Sequence, residues 1–147
     1  MKTTWILVAQ RAGARLFVHR GYGRAVQLVR EVSHPEGRLP DRELGTDRPG
    51  RSYSTGSAGR SSLSQHEGPS EHLATAFAAT LAEILRKGRD EHAYDTLVLV
   101  AEPRFLGKLQ GALDPATAAR VVGTVPKELT SATEVELTAT LGAVMPI

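Results

Sequence analysis

Two short apolar runs constrain the fold of this chain more than any other feature. Residues 5–8 read WILV and residues 97–100 read LVLV, with no polar residue inside either run. A half-exposed strand alternates apolar and polar side chains, whereas a continuous apolar run is typical of a strand buried on both faces. The two runs therefore predict central strands of a sheet that is covered on both sides.

The rest of the chain divides into two halves with different apolar periods. The first half predicts strands joined by short turns, one of them at Gly21 and Gly23, since glycine tolerates the positive φ of tight turns. The second half places apolar residues three and four positions apart, which predicts helices. The predicted strands cover residues 3–10, 15–20, 25–33, 95–101 and 121–125, and the predicted helical segments cover residues 70–87, 103–113, 115–121 and 131–141.

The order of these elements predicts the topology of the sheet. Strands joined by short turns pair antiparallel, whereas strands that follow a helix run parallel through right-handed crossovers. With the two apolar runs at the centre, the strand order is 3-2-1-4-5, and helices cover both faces of a mixed sheet. This α/β arrangement is that of ribonuclease H-like domains. At 147 residues, 41% hydrophobic and 23% charged, residues 1–147 form a single domain.

Core residues and helix ends follow from the same patterns. Gly88 is expected just beyond the first helix, and Ser131 with Glu134 is expected to form a capping box at the start of the last helix. The residues predicted to be buried are Trp5, Leu7, Phe77, Leu81, Leu97, Leu99, Phe105, Leu109 and Val122.

The middle of the chain, residues 34–69, has neither period. It is rich in glycine, serine, proline and arginine, and predicts a long flexible loop between the third strand and the first helix. Arg48, Arg51 and Arg60 give this loop positive charge, and guanidinium groups on a glycine-rich segment suit phosphate oxygens. We expect Tyr53 either to stack on a base or to serve as a local packing anchor.

Two alternatives for the loop make no use of a phosphate. The stretch is also consistent with a low-complexity insertion that has no partner. Alternatively, acidic residues within it pair with the arginines and pin the loop to the domain. The acids concerned are Asp41, Glu43 and Asp47.

Several kinds of chemistry lack support in this sequence. There is no cysteine, and the five histidines lack metal-ligand spacing. Glu71 and Glu102 are too few and too scattered for the carboxylate cluster of a metal-dependent nuclease. His66 and His72 flank the start of the first predicted helix, where a loop could bring either to a substrate, but such residues more often are solvated or cap a helix. We therefore expect no catalytic residue, no metal and no cofactor.

The location of the protein is predicted from its apolar stretches. The run near the N-terminus is too short for the core of a signal peptide or for a membrane span. We therefore expect a cytoplasmic protein with no membrane partner. The uncharged strand at residues 121–125, or the third strand, is expected to offer a sheet edge for homodimer formation.

Longer strings of the sequence resemble a known family. The strings WILVAQRAGARLF, HPEGRLPDRELGTDRPGRSYSTGSAGR, LVLVAEPRFLGKLQGAL and VVGTVPKELT are similar to host-attachment proteins, bacterial proteins described as required for attachment to host cells. The resemblance covers nearly the whole chain. That family in turn resembles the middle domain of archaeal and eukaryotic peptide-chain release factors, in which a Gly-Gly-Gln loop precedes a long helix and enters the ribosomal peptidyl-transferase centre.

The resemblance implies a function related to translation. Residues 56–65 occupy the place of the Gly-Gly-Gln loop, but Gln65 follows Ser64, so its water-positioning role is not carried over. The implied function is a non-catalytic module associated with ribosomal RNA or transfer RNA, contacted through Gln65 and the loop arginines. One alternative is a protein-interaction factor that supports attachment to host cells. A further alternative is a hydrolase of the peptidyl-tRNA ester.

Overall fold

Five strands form one mixed sheet in the computed structural model, which describes residues 2–34 and 69–146. The strands are β1 (Thr4–Gln10), β2 (Gly13–His19), β3 (Gln27–Ser33), β4 (Thr96–Val100) and β5 (Val121–Val125). Their order is β3-β2-β1-β4-β5. β2 is antiparallel to β1 and β3, whereas β1, β4 and β5 are parallel. The predicted strand order and directions are confirmed.

Four helices accompany the sheet in the described part of the chain. They are α1 (Pro69–Asp90), α2 (Pro103–Ala112), α3 (Pro115–Ala118) and α4 (Glu134–Leu141). Among residues 2–34 and 69–146, no helix is both long and apolar enough to cross a membrane. The third and fourth predicted helical segments are shorter than expected at one end.

One face of the sheet is covered by α1 and α2. Apolar residues of α1 recur every three or four positions and pack with α2 on side chains from β1 and β4. This cluster contains Leu7, Phe77, Leu81, Leu97, Leu99, Phe105 and Leu109, all buried, and Trp5 packs against it half-buried. Eight of the nine predicted core residues are therefore confirmed as part of the interior.

The opposite face is covered by α4. Leu137 and Leu141 of this helix are buried against Ile6, Val8, Phe17, Val98 and Val100 from the three central strands. Because β1 and β4 contribute to both clusters, their apolar runs are explained by burial on both faces.

Val122 was wrongly predicted to be buried, since its side chain is 54% exposed. The pairing of β4 with β5 shifts register between Leu97 and Val98, so that Val121 and Gly123 have partners and Val122 does not. Such a β-bulge leaves the extra residue outside the ladder. Val29 on the other edge strand is left out in the same way, and its side chain is 49% exposed.

Gly88 does not end the first helix, because α1 continues to Asp90. A Cβ at Gly88 would lie 2.6 Å from Cη2 of Trp5 and 3.1 Å from Cε2 of Tyr94. The Trp5 and Tyr94 rings lie 4.8 Å apart, and the Tyr94 hydroxyl donates to the Leu85 carbonyl at 2.6 Å. Burial raises the pKa of Tyr94 to about 12, so the hydroxyl keeps its proton. Gly88 is therefore required for close packing and not for a left-handed turn.

The capping box of the last helix is displaced by two residues from the predicted position. Thr133 accepts from the backbone of Glu136, and the Glu136 carboxylate accepts from the backbone of Thr133. Ser131 with Glu134 has the same spacing. The backbone turn that links Ala132 to Leu129 delays the start of the helix until Glu134.

Gly88→Ala tests the close contact between α1 and Trp5. We expect Gly88→Ala to be destabilised by about 1–3 kcal/mol, as overpacked cores are, and to shift the fluorescence of the single tryptophan. Gly107→Ala is the matched control, because no atom lies within 4 Å of its added Cβ. That control should gain about 0.5–1 kcal/mol from helix propensity. Urea unfolding measures both changes, and equal stability of the two variants would contradict the packing role.

Candidate functional site at the carboxyl edge of the sheet

Strands β1, β4 and β5 are parallel and therefore end at the same side of the sheet. We call this side the carboxyl edge; it includes Gln10 at the end of β1, the turn between β1 and β2, and the first turns of α1 and α2. In open α/β sheets, ligands bind in crevices outside the carboxyl ends of the strands. A functional site is therefore expected at the carboxyl edge.

The segment between β5 and α4 is fixed across the carboxyl edge by polar side chains. Nη1 of Arg15 donates to the carbonyls of Thr130 at 2.9 Å and Ala132 at 3.0 Å. Nε2 of Gln10 donates to the Thr130 hydroxyl at 2.8 Å, and that hydroxyl donates to the Glu128 carboxylate. These bonds hold residues 128–132 in one position relative to the ends of β1 and β2.

An open cleft of about 410 Å³ lies beside this segment. Its lining combines polar side chains with the backbone of the turn between β1 and β2: Gln10, Ala12, Gly13, Ala14, Arg15, Glu31, Val32, Ser33 and Thr130. Arg15 Nε lies 3.7 Å from the Glu31 carboxylate, and its guanidinium lies 5.0 Å from the centre of the Phe17 ring. Arg15 is consequently engaged with the protein itself.

A second group of charges lies at the start of α1. The Glu71 carboxylate is 2.7 Å from Nζ of Lys108 and 3.8 Å from Nη1 of Arg104. The hydrogen bond from Lys108 lowers the pKa of Glu71, and the charges of Lys108, Arg104 and Arg11 act in the same direction. Two cations therefore lie within 4 Å of one carboxylate, and the side chain of Arg104 is 75% exposed. This arrangement leaves positive charge available to an anion from solution.

The predicted phosphate-binding residues lie outside the described part of the chain. They are Arg48, Arg51, Tyr53, Arg60 and Gln65, within residues 35–68. Both flanks of that segment are described and lie at the carboxyl edge. The His34 backbone donates to the Ala12 carbonyl at 3.0 Å, and its ring stacks on Phe77 with 4.4 Å between centroids. The other flank, Pro69, begins α1.

The two carboxylates considered for a nuclease both have structural partners. Glu102 is the N-cap of α2, where its carboxylate accepts from the Phe105 backbone at 2.6 Å. Glu71 is paired with Lys108, as described above. Within residues 2–34 and 69–146, no group of three or more histidines, cysteines or acids is arranged to hold a metal ion. The described edge thus offers donors for an anion, while its carboxylates are not clustered.

Sequence reasoning missed the residues that form this edge. Arg11 and Arg15 were assigned only to a turn and a strand, and Arg104 and Lys108 only to a helix. Their positions relative to the strand ends could have indicated the edge. Gln10 and Arg11 lie at the end of the first central strand, and residues 103–108 follow the second central strand. Arginine and lysine directly after central strands were therefore a readable indication of an anion site.

Comparisons with known proteins give one family and one fold. A family model described as "Protein required for attachment to host cells" matches residues 5–141. No curated protein matches the chain. A solved chain described as "Archaeal protein" is similar, with a TM-score of 0.52 and 9% identity, covering 99% of this chain and 34% of that one. At this identity the similarity shows the fold alone, and the present chain spans about a third of the solved one.

Glu71→Gln tests the ion pair at the start of α1. Because the pKa of Glu71 is lowered in the folded protein, its stabilising effect is present above the unfolded pKa and is lost as pH falls through the folded pKa. We expect the variant to be about 0.5–1 kcal/mol less stable at pH 7. The difference should shrink below about pH 4.5 and then vanish. Urea unfolding across this pH range measures it.

The control for this variant is Glu83→Gln on the same helix. Glu83 pairs with Arg86 at 2.6 Å on the solvent side of α1, and its pKa is also lowered, chiefly by the hydrogen bond from Arg86. Its effect should be smaller and should disappear in high salt, because exposed pairs are screened. A Glu71 variant as stable as the wild type at every pH would show that the pair contributes nothing.

Proposed function

The chain belongs to the family of proteins required for attachment to host cells, and we propose that it acts in the cytoplasm as a non-catalytic module that binds RNA. The proposed partner is ribosomal RNA or transfer RNA, which follows if the family is related to release-factor middle domains, a relation that is part of the proposal. The proposed contact surface is the carboxyl edge together with the segment 35–68.

The group of cations around Glu71 carries this proposal. Arg11, Arg104 and Lys108 face a single carboxylate, that of Glu71. A phosphate that approaches this group meets Lys108, held 2.7 Å from that carboxylate, and the exposed guanidinium of Arg104. Charge-assisted hydrogen bonds from guanidinium and ammonium groups to phosphate are among the stronger polar contacts that proteins make. Glu71 competes for the same donors, so a single phosphate binds weakly and a polyanion binds better.

The segment 35–68 adds the second part of the proposed surface. Its sequence contributes Arg48, Arg51 and Arg60 for phosphates, with Tyr53 for base stacking and Gln65 near its end. The segment leaves the sheet after His34 and returns at Pro69, so it starts and ends beside the cluster around Glu71. RNA held by the segment is thereby brought to the same edge.

The proposal assigns no catalytic residue, no metal and no cofactor. The Gly-Gly-Gln string of release factors is missing from the sequence, in which Gln65 follows Ser64. Ester hydrolysis on a peptidyl-tRNA would also need an activated water, and the carboxylates of Glu71 and Glu102 are held by Lys108 and by the start of α2. Binding without turnover is what these groups favour.

A second candidate function is protein interaction through a sheet edge. β3 and β5 are the two edge strands, and each bulges to expose a valine, Val29 or Val122. β5 carries no charged residue that would discourage pairing. A second copy of the chain pairing through β5 would give a homodimer and cover Val122.

The proposed RNA binding predicts how affinity depends on salt concentration. If three arginines of segment 35–68 neutralise three phosphates, they should contribute roughly −2 to the slope of log affinity for single-stranded RNA against log salt. Arg48→Ala, Arg51→Ala and Arg60→Ala combined should make the slope less steep by that amount and leave only the part due to the carboxyl edge. Lysine at all three positions should restore part of the affinity, since charge remains without the bidentate geometry. Fluorescence anisotropy over a salt series measures both quantities.

A matched triple variant controls for net charge. Arg20→Ala, Arg86→Ala and Arg120→Ala remove the same charge from described positions away from the carboxyl edge, and should leave the slope unchanged. Equal losses in the two triple variants would mean general attraction and not a site. Absence of RNA binding by the wild type would end the proposal, and release of the amino acid from an acylated tRNA would replace it with the hydrolase alternative.

The proposed pairing through β5 predicts the oligomeric state of the protein. If β5 pairs across a dyad, light scattering should give twice the monomer mass at high concentration. Val122→Lys should then return the protein to a monomer, because a lysine at the centre of the pair is not tolerated. Val29→Lys, at the equivalent bulge of β3, is the control and should leave the dimer intact. A monomer at all concentrations would remove the edge from consideration.

A further inference from the structure

A cavity of about 530 Å³ lies at the side of the sheet opposite the carboxyl edge. We call it the amino-edge cavity, because β1, β4 and β5 begin there. It lies between the end of β2, the start of β5 and the turn that follows α4. The described residues that line it are Lys2, Thr4, His19, Gly21, Tyr22, Thr96, Val122, Val144, Met145 and Pro146.

The inner wall of the amino-edge cavity is a row of three polar side chains on adjacent strands. Thr4 pairs in register with His19 on one side and with Thr96 on the other. The hydroxyls of the two threonines lie 2.8 Å apart, so one donates to the other. The row lies on the sheet face that α4 covers, beyond the end of that helix. Three convergent polar groups in an apolar surrounding are typical of small-molecule sites.

His19 is the member of this row that lacks a partner. His19 is only 2% exposed, and no described residue forms a hydrogen bond with its Nε2. Buried polar atoms of native proteins are nearly always hydrogen-bonded, so each exception needs an explanation. A ligand polar group that reaches the row would supply the missing partner.

The charge around the amino-edge cavity indicates which polar group fits. Lys2 is the charged side chain among the described lining residues, and none of those residues is acidic. Lys2 precedes Thr4 by two positions in an extended segment, whose Thr3 carbonyl accepts from Thr96. Side chains two positions apart in extended chain point to the same side. The cation is thus placed beside the polar row.

We propose that the amino-edge cavity binds a small amphiphile, a single-chain carboxylic acid of medium length that is free in solution. Its carboxylate takes hydrogen bonds from the His19 and threonine row and the charge of Lys2. Its alkyl chain lies along Tyr22, Val122, Val144 and Met145. The cavity size is in the range of known ligand pockets, about 300–1,000 Å³. This site is independent of the proposed RNA contacts, because β1 separates the two edges by about 20 Å.

The test titrates decanoate into the full chain by calorimetry. The Met145 methyl resonance is followed by ¹³C NMR and assigned with Met145→Leu. We expect one site per chain and a shifted Met145 signal. Decyltrimethylammonium, which has the same chain length and the opposite charge, should bind at least about tenfold more weakly, since Lys2 would repel it.

Two variants locate the site. His19→Phe keeps a ring in place and removes its nitrogens; we expect affinity to fall about tenfold, the usual loss for one hydrogen bond. Lys2→Glu should abolish binding, whereas Arg20→Glu, a neighbouring cation that does not line the cavity, should not change it. If His19→Phe does not fold, the Lys2 and Arg20 pair decides alone. No binding of decanoate, equal binding of both surfactants, or equal effects of Lys2→Glu and Arg20→Glu would overturn the proposal.

Discussion

The parallel pair of β1 and β4 is the contact on which the rest of the structure depends. Both strands are buried on both faces, by α1 and α2 on one side and by α4 on the other. Neither strand can be exposed without opening two hydrophobic clusters at once. Each Å² of apolar surface that these strands bury on either face contributes about 25 cal/mol. The helices have their positions because they cover this pair.

Burial of the centre moves the polar groups to the two ends of the sheet, and the two ends satisfy them differently. At the carboxyl edge, Arg15 and Gln10 fix the segment before α4, while Glu71 orders Lys108 and Arg104. At the amino edge, one threonine hydroxyl donates to the other, which leaves the second hydroxyl proton for another acceptor, and His19 Nε2 has no described partner. The carboxyl edge therefore presents the charged group around Glu71, whereas the amino-edge cavity is lined mostly by apolar surface and is open to solvent at Tyr22 and Val122.

The features that depend on strand burial could be predicted from the sequence. The features that depend on a close contact between distant residues could not. The strand order followed from the two apolar runs, because only central strands read that way. Gly88 was misassigned because glycine after an apolar helix usually marks its end; the contact with Trp5 is not visible in the sequence. Val122 was misassigned because a bulge in an edge strand depends on pairing geometry. The family match over residues 5–141 confirms the resemblance to host-attachment proteins, while the release-factor relation remains a proposal.

The residues of the carboxyl edge were also hard to predict, because they come from segments that are distant in the sequence. The loop arginines are conspicuous in sequence because they share one glycine-rich stretch, whereas Arg11, Arg104 and Lys108 come together only when β1 and β4 are adjacent. Glu71 decides which kind of anion that second group would bind under the proposed function. The Glu71 carboxylate lies 2.7 Å from Lys108 Nζ and 3.8 Å from Arg104 Nη1, and it neutralises one of these charges. Under the proposed function, a ligand that brings several negative charges, as a nucleic acid backbone does, competes with Glu71 for these cations better than a single anion. The proposed preference for an extended polyanion rests on this competition.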